Sequence, residues 1–205
     1  MEITLAAKPE SITIETAKSA LAVVDMQNAF CKKGGMMDYL GMIDLPSIQR
    51  IIDTDKKVIE AFRAKDIRIV YLRMTYKADD DANAESPFYW KEGGLKAIRE
   101  NPELKPAARD IVIDKSRFSG FTRTGLDVKL RKLKIKYLFF TGLFTNICVE
   151  STLRDAFFHE YFPILIEDAC GNMGPAYTQE ATVFNVTQVF GWVMNSADVV
   201  KSLGK

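Results

Sequence analysis

Three side chains that can cooperate in cysteine-based acyl transfer stand at equivalent places along this chain. Asp25 follows the apolar run Leu21, Ala22, Val23, Val24; Lys115 closes the stretch Ile111 to Asp114; and Cys148 lies in GLFTNICVE, just beyond the apolar run Lys136 to Thr141. A carboxylate can take a thiol proton, a cation favours the thiolate, and the thiolate is a nucleophile, so the trio needs no histidine. Each residue alone has a plainer reading, the acid as a cap or ion-pair partner and the cysteine as a small buried hydrophobe. Whether they meet depends on the elements that carry them.

Those elements read as alternating strands and helices. Leu21 to Val24, Ile67 to Leu72, Ile111 to Ile113, Lys136 to Thr141, Phe162 to Ile166 and Trp192 to Met194 are short and β-favouring, as buried parallel strands are. Pro46 to Ala64 spaces its apolar residues for one helix face, Cys148 opens a helix reaching Phe158, Pro175 opens another through Phe190, and Ser196 caps a last one. Met1 to Lys18 is expected as a short strand or extended arm. The pattern predicts an α/β fold, a three-layer sandwich on a mainly parallel sheet of roughly six strands, as a single domain over residues 1–205. In such a sheet the C-terminal strand ends share one rim, where ligands bind, so Asp25, Lys115 and Cys148 are expected to converge there. Thr145 or Asn146 is expected to cap the helix of Cys148, whose macrodipole would lower the thiol pKa.

The remaining composition narrows the chemistry. A formal net charge of +1 with interspersed signs gives no footprint for nucleic acid or an anionic membrane, and a small-molecule partner is expected. No run is long enough to span a bilayer and no signal peptide is evident, so a cytoplasmic location is expected. Cys31, Cys148 and Cys170 are too far apart for a CxxC motif, and reduced thiols are expected. His159 is the sole histidine, near the far end of the helix that Cys148 opens; it is read as a polar or cationic group at a helix C-terminus and not as a base. No HExxH, GxGxxG or GxxxxGK[ST] motif occurs, so neither a metal nor a cofactor is expected. The long irregular stretch Thr75 to Gly94 carries Phe88 and Trp90; ordinary packing is the plainer reading of these aromatics, and covering the pocket or serving a subunit interface are the alternatives left open for the loop.

The motifs VVDMQNAF, IDKSRFSGF and GLFTNICV resemble, in order and placement, those of the isochorismatase-like cysteine hydrolases, a family that includes N-carbamoylsarcosine amidases, nicotinamidases and ureidoacrylate amidohydrolases. The resemblance spans nearly the whole chain. From Lys115 onward, in SGF, CVESTLRDAFFHEYF, LIEDA and FGWV, it is strongest to the ureidoacrylate amidohydrolases. It implies a catalytic triad of Asp25, Lys115 and Cys148 and a non-proline cis peptide between Leu143 and Phe144. The backbone amides of Phe144 and Cys148 would then form an oxyanion hole. It further implies that Asn28 and Gln27 orient substrate or water, that Phe30, Trp90, Phe118 and Phe121 wall the pocket, and that the protein is a homo-oligomer, a dimer or tetramer. Paired histidines of the metal-binding nicotinamidases are missing, and the retained cysteine favours C–N hydrolysis over the vinyl-ether cleavage of isochorismatases. A nicotinamidase-type or isochorismatase-type hydrolase, a ligand-binding member without turnover and a thiol-redox protein are the alternatives.

Overall fold

The computed structural model describes residues 1–75 and 102–204. Among these residues six strands form one parallel sheet: β3 (Ser19–Val24), β4 (Arg68–Met74), β5 (Ile111–Lys115), β6 (Tyr137–Leu143), β7 (Phe162–Gly171) and β8 (Trp192–Met194), in the order β5-β4-β3-β6-β7-β8. The N-terminal arm is a separate antiparallel hairpin of β1 (Glu2–Leu5) and β2 (Ile12–Glu15). Its loop is tied to the main sheet's edge by hydrogen bonds between the backbones of Lys8 and Val193.

The order starts in the middle with β3, runs out to β5, then returns to β6 beside β3 and runs out to β8. Crossovers of one hand that travel in opposite directions place their helices on opposite faces. On one face lies α3 (Leu45–Ala64), begun by Asp44, whose carboxylate accepts the Ser47 N–H at 3.0 Å, with a proline in its first turn. It packs on β7, β6 and β4, and Phe62 meets Phe139 edge to face at 4.9 Å. The crossover from β6 to β7 is α5 (Glu150–Phe158); after β7 come α6 (Ala176–Asn185) and α7 (Ser196–Leu203). The short helices α1 (Asn28–Cys31) and α2 (Met36–Tyr39) come after β3, and α4 (Leu126–Lys132) precedes β6.

Two departures from sequence expectation have local causes. The fifth strand does not end at Ile166: its pairing with β6 jumps from Leu165 to Cys170 while β6 advances from Phe140 to Gly142. This bulge turns Asp168 outward, where its carboxylate takes both the backbone N–H (2.6 Å) and the hydroxyl (2.7 Å) of Ser196. The cap of α7 therefore comes from β7, and Ser196 is the residue capped.

Asp55 lies on the apolar stripe of α3 with Ile48, Ile52, Ile59 and Phe62, and is fully buried. Burial raises its pKa well above the ordinary carboxylate range; the adjacent Thr141 hydroxyl opposes that in part and Asp168 adds to it. A folded-state pKa above the unfolded one means that the native state holds a proton the unfolded chain releases. Stability is therefore lost as pH rises above the unfolded carboxylate value, by up to about 1.4 kcal/mol per pH unit until the folded pKa is passed. Asp55→Asn should flatten that slope and raise Tm at pH 7.5 by at least about 3 °C in thermal melts. A variant that melts lower at pH 7.5 while retaining the wild-type slope would contradict a neutral Asp55.

Candidate active site

The switch point between β3 and β6 is where the two halves of the sheet part, and the three chemically apt residues gather there. The close approach of these strands requires glycine at Gly142, which has φ +109°; a Cβ there would lie 2.1 Å from the Val24 carbonyl oxygen. One residue past β3, Asp25 adopts the left-handed conformation with φ 52°, which aspartate tolerates better than most residues. Its N–H donates to Leu72 O at 2.9 Å and its carbonyl accepts Gln27 N–H at 2.7 Å, so the chain turns sharply and the carboxylate stays at the rim.

Lys115 ends β5, two strands from β3, a separation of about 10 Å at normal strand spacing. Only a long side chain covers that distance. Its Nζ reaches Asp25 Oδ2 at 2.8 Å and also donates to Arg117 O at 3.2 Å, with the lysine and aspartate side chains 0% and 2% exposed. Asp25 Oδ1 is buried and has no formed hydrogen bond among the described residues. Burial raises the Asp25 pKa, and Lys115 acts in the opposite direction.

Cys148 stands in the π turn Thr145–Val149 that leads into α5. The carbonyl of Phe144 accepts from Ile147 N–H (2.9 Å) and Val149 N–H (3.2 Å), passing over Cys148 between them. The Leu143–Phe144 peptide is cis, and among the described residues the Phe144 N–H has no hydrogen-bond acceptor. Neither Thr145 nor Asn146 caps this turn: the buried Thr145 hydroxyl has no partner among the described residues, and Asn146 bonds to Met173. The thiol pKa is raised well above normal, by burial first and the Asp25 carboxylate second, against a lowering influence from Lys115. Burial of Cys148, 6% exposed, thus acts against the lowering expected from a helix end.

A narrow cavity of about 60 Å³ opens onto Asp25 and Cys148. Larger grooves, of about 410 and 770 Å³, lie along Phe157 to Trp192 and between α3 and α7; neither contains the acid, the cation or the thiol. Phe30 and Phe118 line the small cavity together with Phe144 and Ile147. Four methionines, Met36, Met37, Met74 and Met173, complete much of its wall and were not anticipated. Met74 ends a parallel strand and so had a positional signal; the other three come after irregular turns and had none.

Three residues are placed differently from expectation. Both atoms of the Gln27 amide are engaged by the backbone of Met74. Phe121 lies away from the cavity, stacked on His159 at 4.9 Å and near Tyr161. Asn28 opens α1 and is not among the cavity-lining residues, although its Oδ1 is buried without a partner among the described residues. Trp90 and Phe88 lie outside the described residues. His159 does sit at the C-terminal end of α5, with Nδ1 3.8 Å from Asp127.

A parallel sheet ordered about this switch point, carrying acid, cation and thiol on three strand ends, places the chain in a known class. It belongs to the isochorismatase family, whose isochorismatase-domain model matches residues 19–198. It is similar to ureidoacrylate amidohydrolase RutB of Klebsiella variicola, 42% identical over 214 residues spanning 93% of this chain and 89% of that protein. The Rhizobium rhizogenes protein of the same name is 39% identical, over 96% of this chain and 87% of its own. Among solved structures, a cysteine hydrolase from Pseudomonas syringae pv. phaseolicola aligns with a TM-score of 0.80 at 26% identity, covering 93% of this chain and 94% of that one. N-carbamoylsarcosine amidase from Thermoplasma acidophilum aligns with a TM-score of 0.71 at 30% identity, covering 87% and 96%.

Proposed function

We propose that this protein is a cysteine amidohydrolase that hydrolyses a small ureido compound, ureidoacrylate or a close analogue, through an acyl-enzyme on Cys148. The observation that carries the reading is the buried Asp25–Lys115 pair set beside a buried thiol at the switch point, in a chain about 40% identical to ureidoacrylate amidohydrolases.

In the resting site burial keeps the proton on sulfur. When substrate enters, Asp25 Oδ1, which lacks a partner among the described residues, accepts the Sγ proton, and Lys115 stabilises the negative charge left behind. Sulfur attacks the ureido carbonyl carbon, and the oxyanion is received by the N–H groups of Phe144 and Cys148, each such donor contributing about 3 kcal/mol in comparable sites. Protonated Asp25 gives its proton to the departing nitrogen as the C–N bond breaks, leaving an S-carbamoyl enzyme. Asp25 then deprotonates water, which attacks that carbonyl; sulfur leaves, is reprotonated, and the carbamate released decomposes to ammonia and carbon dioxide. The apolar wall of aromatic and methionine side chains excludes bulk water and strengthens each of these charge interactions.

The same reading places the protein in the cytoplasm as a homo-oligomer. The first is supported by three buried thiols with no disulfide between them, the second by the apolar groove along Phe157, Phe162, Val189, Phe190 and Trp192. No helix of the described residues is long and apolar enough to cross a membrane.

An ammonia-release screen over ureidoacrylate, N-carbamoyl amino acids, biuret, nicotinamide and simple amides tests the assignment. Ureidoacrylate should give the highest kcat/KM. Turnover confined to nicotinamide would move the protein to another activity within the family, and ammonia from none of the compounds would favour a binding protein.

A further inference from the structure

Two carboxamides flank the cavity in the same manner. Gln27 donates Nε2 to the Met74 carbonyl at 3.1 Å and accepts the Met74 N–H on Oε1 at 2.8 Å. Asn146 donates Nδ2 to the Met173 carbonyl at 2.9 Å and accepts the Met173 N–H on Oδ1 at 2.9 Å. Each forms the pair of bonds that a neighbouring strand would make, at a residue where the neighbouring strand has run out. On the β3 side of Met74 the chain has turned away at Asp25, and Met173 lies beyond the end of β7 at Gly171.

The placement matches the chemistry. Gln27 lies two residues after the acid and Asn146 two before the thiol. Each holds a methionine that lines the cavity, one on either side of the switch point. A methionine side chain has three rotatable bonds and readily adapts to what it touches, so a wall made of methionine has a definite position only if its backbone is fixed. Two hydrogen bonds, one to each of the peptide groups that flank the methionine, supply that fixing.

We propose that Gln27 and Asn146 are matched positioning residues, which clamp the backbones of Met74 and Met173 and so set how bulky a group can reach Cys148. The consequence for substrate choice rests on the amidohydrolase reading; the consequence for access to the thiol does not. Loss of either clamp lets a wall retreat and weakens discrimination by size.

The test is alkylation of Cys148 in the full-length protein by iodoacetamide and by the bulkier N-ethylmaleimide, with the modified site assigned by peptide mass. Both reagents need the thiolate, so the ratio of their rates cancels any change in thiol protonation and reports access alone. Gln27→Ala and Asn146→Ala should each lower the wild-type preference for iodoacetamide about tenfold, the discrimination associated with one methylene of pocket space. Gln27→Glu and Asn146→Asp keep the acceptor for the methionine N–H but set a carboxylate oxygen against its carbonyl, which breaks that half of the clamp; they should shift the ratio in the same direction. Gln179→Ala removes a carboxamide bond to the Glu167 carbonyl away from the cavity and should leave the ratio unchanged. Met74→Ala and Met173→Ala remove the walls directly and should match the clamp variants. A ratio within about twofold of wild type in folded clamp variants, or in the methionine variants, overturns the proposal. Because no turnover is involved, a protein that releases no ammonia yet shows these shifts would fail the functional reading and keep this one.

Discussion

Cys148→Ala should abolish ammonia release, by about 10⁴-fold or more, because the remaining groups of such a unit cannot replace a missing nucleophile. Stability should scarcely change. The substitution removes one sulfur from a side chain that is 6% exposed, and a cavity of that size costs about 1 kcal/mol. Cys148→Ser should be equally inactive, since a serine hydroxyl in the same dry site is far harder to deprotonate than a thiol. Acid-quenched intact-mass measurement during turnover should show a carbamoyl adduct on the wild type and none on either variant. Undiminished ammonia release from the alanine variant would remove Cys148 from the mechanism.

Lys115→Met separates structural from chemical roles differently. Deleting one partner of a buried ion pair costs about 3–5 kcal/mol, because the other charge stays in the interior uncompensated. Asp25 escapes part of that cost by taking up a proton. Its folded-state pKa, already raised by burial, rises further without Lys115, so the variant should lose stability as pH climbs above the unfolded carboxylate value and be most stable in acid. A protonated Asp25 cannot accept the thiol proton, and turnover should fall by about 10² to 10⁴. Urea titrations at pH 5 and pH 8 measure the first effect and ammonia release the second. Adding Asp25→Leu should restore stability to within about 1 kcal/mol of wild type, since an apolar pair of similar volume suits the interior, while activity stays absent. Full stability in the single variant at pH 8 would show that Asp25 does not depend on its cation.

The sequence made the gathering of Asp25, Lys115 and Cys148 legible for one reason: parallel strands deliver their C-terminal ends to one edge, so position along the chain translates into place in the sheet. The turns just past those strand ends were less legible. Gln27 beside the acid was expected to face substrate, and a carboxamide has the same composition whether it binds a ligand or completes a broken ladder. Phe121 shares a segment with Phe118, yet the two diverge, Phe118 toward the cavity and Phe121 onto His159. The burial that raises the thiol pKa is a property of the packed molecule and could not be read from the turn alone. Asp55, in contrast, was visible in principle: it falls on the stripe of positions 48, 52, 55, 59 and 62, where helical spacing places only core residues.

The strand order carries a further consequence for how the site comes into being. Asp25 and Lys115 are separated by 90 positions in sequence and joined across β4, and Cys148 arrives only once β6 has docked on the far side of β3. Contacts of such long sequence separation form late, because the intervening chain must be ordered before they repay its loss of freedom. Regain of activity on refolding should therefore lag the regain of helical signal, and a chain truncated before β6 should hold no partly working centre.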